Sequence, residues 1–152
     1  MLPQFIVIFI AMLPIFELRG AIPLALGYFK FSIPEAYFWS VLGNMIPIFF
    51  LLWFWSTLAQ ILMKKYKFFN KLFSWIFKRT KRKTDDKFRR YGELALIIFV
   101  ALPFPITGAW TGSVAAFLFN IPYWRALGLI FIGVLIAGLI VTLLTTGVIS
   151  LI

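Results

Sequence analysis

Between two short apolar runs the chain reads Pro14-Ile15-Phe16-Glu17-Leu18-Arg19-Gly20-Ala21-Ile22-Pro23. An acid and a base stand two residues apart, bracketed by prolines and a glycine. The run before them, Phe5 to Ile15, is about eleven residues long, and the run after, Ala21 to Phe29, is shorter. A helix needs about 20 apolar residues to cross about 30 Å of hydrocarbon, so neither run is a span. Broken backbone at membrane depth is tolerated only where protein buries it or it lines a wet cavity. We read the two runs as a re-entrant helical hairpin that dips into the bilayer and leaves on the same side.

The bilayer itself follows from composition. Apolar residues are 62% of the 152 and charged residues 13%, against roughly 45–50% and about 25% in an average globular chain. A chain this small cannot bury so much apolar surface in its own core. Two uncharged stretches, about Ala36 to Met63 and about Ala126 to Ile152, are long enough to cross with some tilt. The N-terminus lacks the basic region of a signal peptide, and Glu17 and Arg19 interrupt the run that follows.

The second half repeats the plan. Leu94 to Leu102 is closed by Pro103-Phe104-Pro105, and Ser113 to Phe119 follows a break at Thr107-Gly108. Phe29-Lys30-Phe31-Ser32-Ile33-Pro34 matches Phe117-Leu118-Phe119-Asn120-Ile121-Pro122, and Leu13-Pro14 matches Leu102-Pro103. Each unit is a hairpin followed by one span. A single crossing per unit inverts the second against the first, an arrangement that sets a site near the midplane between broken segments. The expected fold is therefore all-α integral membrane, an inverted repeat of re-entrant hairpin plus transmembrane helix. It forms one membrane domain over 1–152: repeat one 1–63, a basic linker helix 64–92 and repeat two 93–152.

Fourteen of the twenty charged residues lie between Lys64 and Arg90, twelve basic and two acidic, which accounts for the whole net charge of +10. Such a segment faces the cytoplasm and anionic lipid and argues against a nucleic-acid partner. Both termini and the Lys30–Glu35 turn then lie outside a multi-pass plasma-membrane protein. Tyr66, Phe69, Leu72, Phe73, Ile76 and Phe77 recur at helical spacing, with Lys67, Lys71 and Lys78 largely between them. An amphipathic helix of this kind lies in the interface, binds anionic headgroups and anchors the topology; the alternative is a regulated lipid sensor. The stretch Arg79 to Lys83, followed by Thr84-Asp85-Asp86, reads as a solvated turn.

With no Cys and no His, thiol chemistry and the commonest metal ligand and general base are missing. We expect no enzyme, no metal and no cofactor. Glu17 and Arg19 are the strongest candidates for function. An ionisable residue deep in a membrane helix costs about 2.5–3.5 kcal/mol on insertion scales and needs a partner or a wet cavity. Arginine offers a planar fork suited to phosphate or carboxylate, which makes Arg19 the expected anion ligand. A carboxyl group in lipid can take and release a proton, the role expected of Glu17. The alternative is a buried ion pair that only holds the turn. On a helix, i and i+2 do not face each other, so their convergence requires a break, with Pro14, Gly20 and Pro23 as its structural residues. In the second hairpin Pro103 and Pro105 form the matching turn, and Thr107, Gly108, Trp110 and Thr111 offer donors beside a helix start that favours anions.

Asn44, just before Pro47, is either a further cavity residue or a packing hydrogen bond. Gly133, Ala137 and Val141, and Gly138, Thr142 and Thr146, form small-residue stripes for helix or dimer packing. Glu93 reads as an interfacial helix-start charge. Trp39, Trp53, Trp55, Trp75, Tyr123 and Trp124 include interface anchors.

Taken together, Glu17-Leu18-Arg19-Gly20-Ala21-Ile22-Pro23 and Pro103-Phe104-Pro105-Ile106-Thr107-Gly108-Ala109-Trp110 resemble the putative small multidrug export protein family, itself similar to the DedA (VTT-domain) superfamily. The resemblance covers nearly the whole chain. It implies two re-entrant hairpins face to face, with an acid and an Arg at the site. It also implies transport of a polyprenyl-phosphate or phospholipid headgroup, often proton-coupled. DedA proteins carry further Arg residues in the second hairpin, where this chain has Thr107 and Trp110; Arg125 lies beyond it. The expected function is DedA-like translocation of an anionic lipid headgroup. The alternatives are proton-coupled export of small amphipathic drugs at Glu17 and a non-transport structural or assembly role. The expected partners are membrane lipids and a second copy in a homodimer.

Overall fold

The computed structural model describes residues 1–82, 86–105 and 107–151, with side chains at all of these except 76, 77, 79–82 and 86–89. The described residues form seven helices and no strand: α1 (Leu2–Met12), α2 (Glu17–Gly27), α3 (Ile33–Lys65), α4 (Lys67–Arg82), α5 (Asp86–Ala101), α6 (Ala109–Leu118) and α7 (Tyr123–Leu151). Of these, α3 and α7 are long and apolar enough to cross a membrane. Both extend a few residues before the uncharged stretches of the sequence. The basic linker helix is α4. It ends at Arg82, so residues 86–92, read as linker, are instead the first turns of α5. Residues 79–82 and Asp86 of the expected turn are instead helical, in α4 and α5; Lys83, Thr84 and Asp85 lie outside the described residues, as do the Ile76 and Phe77 side chains of the expected apolar face.

Local chemistry sets the helix ends. Leu13, extended because Pro14 follows, stops α1. Ser32 starts α3 with a capping box: its N–H and hydroxyl both donate to Glu35 Oε2, at 3.1 and 2.8 Å. Asn120 ends α6 in the left-handed region, φ 55°. Its N–H donates to Phe117 O at 3.0 Å and that of Ile121 to Ala116 O at 3.0 Å, a Schellman closure with Asn in the usual glycine place. Two positions depart from expectation. Gly20 and Pro23 lie inside α2, not in a turn. The turn is residues 13–16, and Pro23 only removes one helix hydrogen bond.

The helices pack in matching pairs. α1 lies on α3 as α5 lies on α7. α2 packs on its own α3 and crosses to α7, while α6 packs on its own α7 and crosses to α3. Glycines make the closest approaches. A Cβ at Gly43 of α3 would sit 2.5 Å from Ile8 O and 2.8 Å from Ile8 Cα in α1. A Cβ at Gly133 of α7 would sit 2.7 Å from Val100 Cβ and 3.0 Å from Ile97 O in α5. Packing between helices in lipid rests on such contact, since the hydrophobic effect no longer drives it. The core is rich in alanine for the same reason, with Ala11, Ala21, Ala25, Ala36, Ala116 and Ala126 fully buried.

Two tyrosines clamp the long helices reciprocally. Tyr37 of α3 donates to Leu135 O of α7 at 2.8 Å, and Tyr123 of α7 donates to Phe49 O of α3 at 3.1 Å. The small-residue stripes of α7 pack within the chain: Gly133 against Val100, Gly138 against Tyr37. Thr142 and Thr146 return their hydroxyls to the carbonyls of Gly138 and Thr142, at 2.7 and 2.9 Å.

Candidate functional site

The tips of the two hairpins meet, and the residues that join them come from the first turns of α2 and α6. Glu17 opens α2 with a left-handed backbone, φ 44°. That unusual conformation swings its side chain out of helical register. It therefore reaches Arg19 two residues on, Oε2 to Nη2 at 3.7 Å, a pairing that regular helix geometry forbids.

Glu17 is 5% exposed, and its carboxylate sits at the start of α6. The Trp110 N–H donates to Oε1 at 3.4 Å, and the Ala109 N–H also faces it. An anion is favoured at this end of a helix, where N–H groups lack partners and the dipole is positive. Gly108 makes room for it. A Cβ there would overlap Glu17 Oε2 and lie 2.8 Å from Oε1, and its φ of 134° is one that side-chain-bearing residues rarely adopt.

Arg19 serves the loop between α5 and α6. Its guanidinium donates to the carbonyl of Phe104 and, from Nη2 at 3.0 Å, to that of Thr107. Pro103 and Pro105 lie in this loop, supply no N–H and leave its carbonyls seeking donors. The Thr107 hydroxyl is used by the loop itself. It donates to Leu102 O and Phe104 O and accepts from the Phe104 N–H at 3.2 Å. Trp110 is the counterpart of Arg19 in the other hairpin. Its indole N–H donates to Met12 O at the end of α1, at 3.1 Å. Each hairpin thus sends one donor side chain to carbonyls of the other: Arg19 to the loop after α5, Trp110 to the end of α1.

Glu17, Arg19, Asn44, Thr107 and Gly108 line one cavity, together with Pro103 and apolar residues of α5 and α7 such as Val100 and Val134. Its volume is about 10 Å³, close to the least that holds one water. Asn44 is buried in its wall, and its Oδ1 has no partner among the described residues. Trp110 and Thr111 do not line this cavity. Thr111 is exposed and bonds back to Gly108 O at 3.3 Å. Pro14 lies in the exposed first turn. One edge of the site is open: Ile15, Phe16 and Phe104 are 80, 50 and 61% exposed beside Arg19.

Farther out, Glu93, read from the sequence as a helix-start charge, lies midway along α5 and pairs with Arg125 at 2.6 Å, tying the middle of α5 to the start of α7. A separate apolar groove of about 540 Å³ runs between α3 and α7 and is lined by residues such as Val41, Met45, Leu127 and Phe131. It shares no residue with the Glu17 cavity. Sequence reasoning named Gly133 and Gly138 as close-packing positions but missed Gly43 and the tyrosine clamps. Gly43, inside an uncharged span, was the available signal for the first. Tyr37 and Tyr123, each near the start of a long helix, were the signal for the second.

No curated protein and no solved structure matches the chain. A family model described as "Putative small multi-drug export protein" matches residues 17–140, from the start of α2 through the second hairpin and most of α7, with α1 and the first turn outside it. The match takes in Glu17, Arg19, the second tip, α3 and most of α7, and the chain belongs to this export family, a membrane protein family by its description and by its apolar helices.

Proposed function

We propose that the chain carries an anionic lipid or polyprenyl-phosphate headgroup across the bilayer in the manner of the DedA superfamily, with Glu17 exchanging a proton. The observation that carries this reading is the buried Glu17 carboxylate, seated at the start of α6 beside Arg19. The carboxylate occupies the place that a phosphate would take: two backbone N–H groups, a helix dipole and a guanidinium. A proton on Glu17 releases that place, and the anion enters it.

Charge supports the exchange. Ionised Glu17 with Arg19 sums to zero. Protonated Glu17 with Arg19 and a singly charged headgroup also sums to zero. Neither state leaves an uncompensated charge in low dielectric, where it would be very costly. The exposed apolar edge at Ile15, Phe16 and Phe104 lets the acyl or prenyl tail stay in lipid. The chemistry is transport and not catalysis, because no bond is made or broken. Arg19, Thr107, Gly108 and Asn44 hold the headgroup, and Trp110 and Thr111 stand behind them.

This reading takes both hairpins as re-entrant and the halves as an inverted repeat. At 1.5 Å per residue, the eleven residues of α1 and of α2 reach about 16 Å, half the hydrocarbon thickness. The matching helix pairs of the two halves fit a two-fold relation. Hairpin one enters from outside, hairpin two from the cytoplasm, and both termini lie outside. A homodimer would complete the pathway, since a cavity of about 10 Å³ encloses no headgroup by itself.

The family description favours a second reading, export of small drugs. A cationic drug would bind Glu17 and be repelled by Arg19. Reconstituted vesicles separate the two. In the lipid reading, Arg19→Gln abolishes translocation of a fluorescent polyprenyl phosphate, and Glu17→Gln uncouples it from a pH gradient. In the drug reading, Glu17→Gln abolishes export of a cationic dye and Arg19→Gln spares it. Full lipid translocation by Arg19→Gln refutes the headgroup proposal. Labelling single Cys at Ser32, Ser74 and Asn120 from each side tests the topology. Ser32 should react outside and the other two inside.

A further inference from the structure

The apolar side of α4 is divided into two stripes with different neighbours. On the inner stripe Phe69 and Phe73 stack at 6.1 Å, and Phe73 meets Phe117 of α6 edge-on at 5.7 Å. Trp55 of α3 stacks on the same Phe117 at 6.5 Å and donates its indole N–H to Ser113 of α6 at 3.3 Å. The outer stripe is Phe68, Leu72 and Trp75, which are 71, 39 and 57% exposed. Spacings of four and three residues put them on one face. With Lys71 they line an open cleft of about 470 Å³. Lys64, Lys65, Lys67 and Lys78 are exposed nearby, and the sequence has no acidic residue between Lys64 and Lys78.

We propose that this outer stripe is a binding site for an anionic phospholipid, coupled to α6 by the ring stack. The glycerol and upper acyl chain lie against Phe68, Leu72 and Trp75, and the headgroup phosphate meets Lys71 and Lys67. Charge complementarity selects the ligand: a basic rim around an apolar cleft fits a lipid that is anionic at one end and greasy at the other. A lipid seated there fixes α4. Through Phe73 and Phe117, α4 then fixes the far end of the helix whose start holds Glu17. The site is distinct from the hairpin tips and does not depend on the transport reading.

The test uses the full chain in detergent, titrated with short-chain phosphatidylglycerol, phosphatidylcholine and inorganic phosphate. Bound lipid is counted by native mass spectrometry, and the thermal midpoint is followed in parallel. We expect saturable phosphatidylglycerol binding with a raised midpoint, and neither effect from phosphatidylcholine or phosphate. The double variant Lys67→Gln, Lys71→Gln should lose roughly tenfold or more in affinity, and Phe68→Ser with Leu72→Ser should weaken it too. Phe73→Leu should keep the affinity within about twofold and lose the thermal protection, because it cuts the stack but leaves the cleft. Equal binding of the two lipids, or unchanged affinity in the lysine variant, overturns the site. Full protection in Phe73→Leu overturns the coupling. In an Arg19→Gln background, which removes headgroup binding at the hairpin tips, the phosphatidylglycerol binding that depends on Lys67 and Lys71 should remain. Loss of binding there instead would assign the lipid to the hairpin tips and refute the α4 site.

Discussion

Replacing Gly108 with alanine puts a single methyl group where the Glu17 carboxylate sits. Two costs add. The backbone φ of 134° belongs to glycine, and holding alanine there costs about 1–3 kcal/mol. The new Cβ also overlaps Glu17 Oε2 and lies 2.8 Å from Oε1 and 2.9 Å from Cδ, so the carboxylate must leave the start of α6. Losing such a helix-end partner costs about 0.5–2 kcal/mol. The single variant should therefore lose about 2–4 kcal/mol of stability, taking the middle of both ranges. The two costs can be separated. In a Glu17→Ala background the carboxylate is already gone, so Gly108→Ala should cost only the backbone part. The coupling between the two substitutions should be about 1–2 kcal/mol, well above the ~0.5 kcal/mol scatter of independent sites. Equilibrium unfolding in mixed micelles of detergent and dodecyl sulfate measures all four corners of the cycle. Strict additivity would refute the seating of Glu17 at α6, and with it the exchange of carboxylate for headgroup.

Three further outcomes follow from the packing. Gly43→Ala and Gly133→Ala each drive a Cβ into a neighbouring helix and should destabilise by about 1–3 kcal/mol. Gly147→Ala, with open space around it, should be neutral or stabilise by up to about 1 kcal/mol; the same micelle titration reads the opposite signs. Tyr37→Phe and Tyr123→Phe each remove one reciprocal bond between the long helices and should cost about 0.5–1.5 kcal/mol. A Cys cross-link between α3 and α7 should form more slowly in both, and no change in either denies the clamp. For Glu93 and Arg125, the arginine side chain being more than half exposed, a double-mutant cycle should return under about 1 kcal/mol, declining further in high salt. A larger value would mean that the pair is shielded by a neighbour or by lipid.

The short runs around Glu17 and around Thr107 were legible as broken helices because proline, glycine and charge interrupt an apolar sequence at fixed places. The two long helices were legible from length and hydropathy alone. That the acid and the base belong to one site could also be read, since both are too costly in lipid to stand apart. What each of them touches could not. Glu17 holds the start of α6 and Arg19 the end of the loop after α5, partners more than eighty residues away. Gly20 and Pro23 look like turn residues in isolation, yet α2 runs through them because its neighbours hold it.

Periodicity and composition are properties of a local stretch, and they determined the helices, the membrane setting and the basic segment between the halves. Everything that depends on which helix lies beside which was decided by tertiary packing. Trp110 matches Arg19 only once the two tips are opposed, and on α4 it is packing that brings Phe73 against Phe117. The physical reason is that a backbone carbonyl freed by a proline, or an N–H at a helix start, is the same group in every sequence. Its partner is chosen by the one side chain that packing brings within reach.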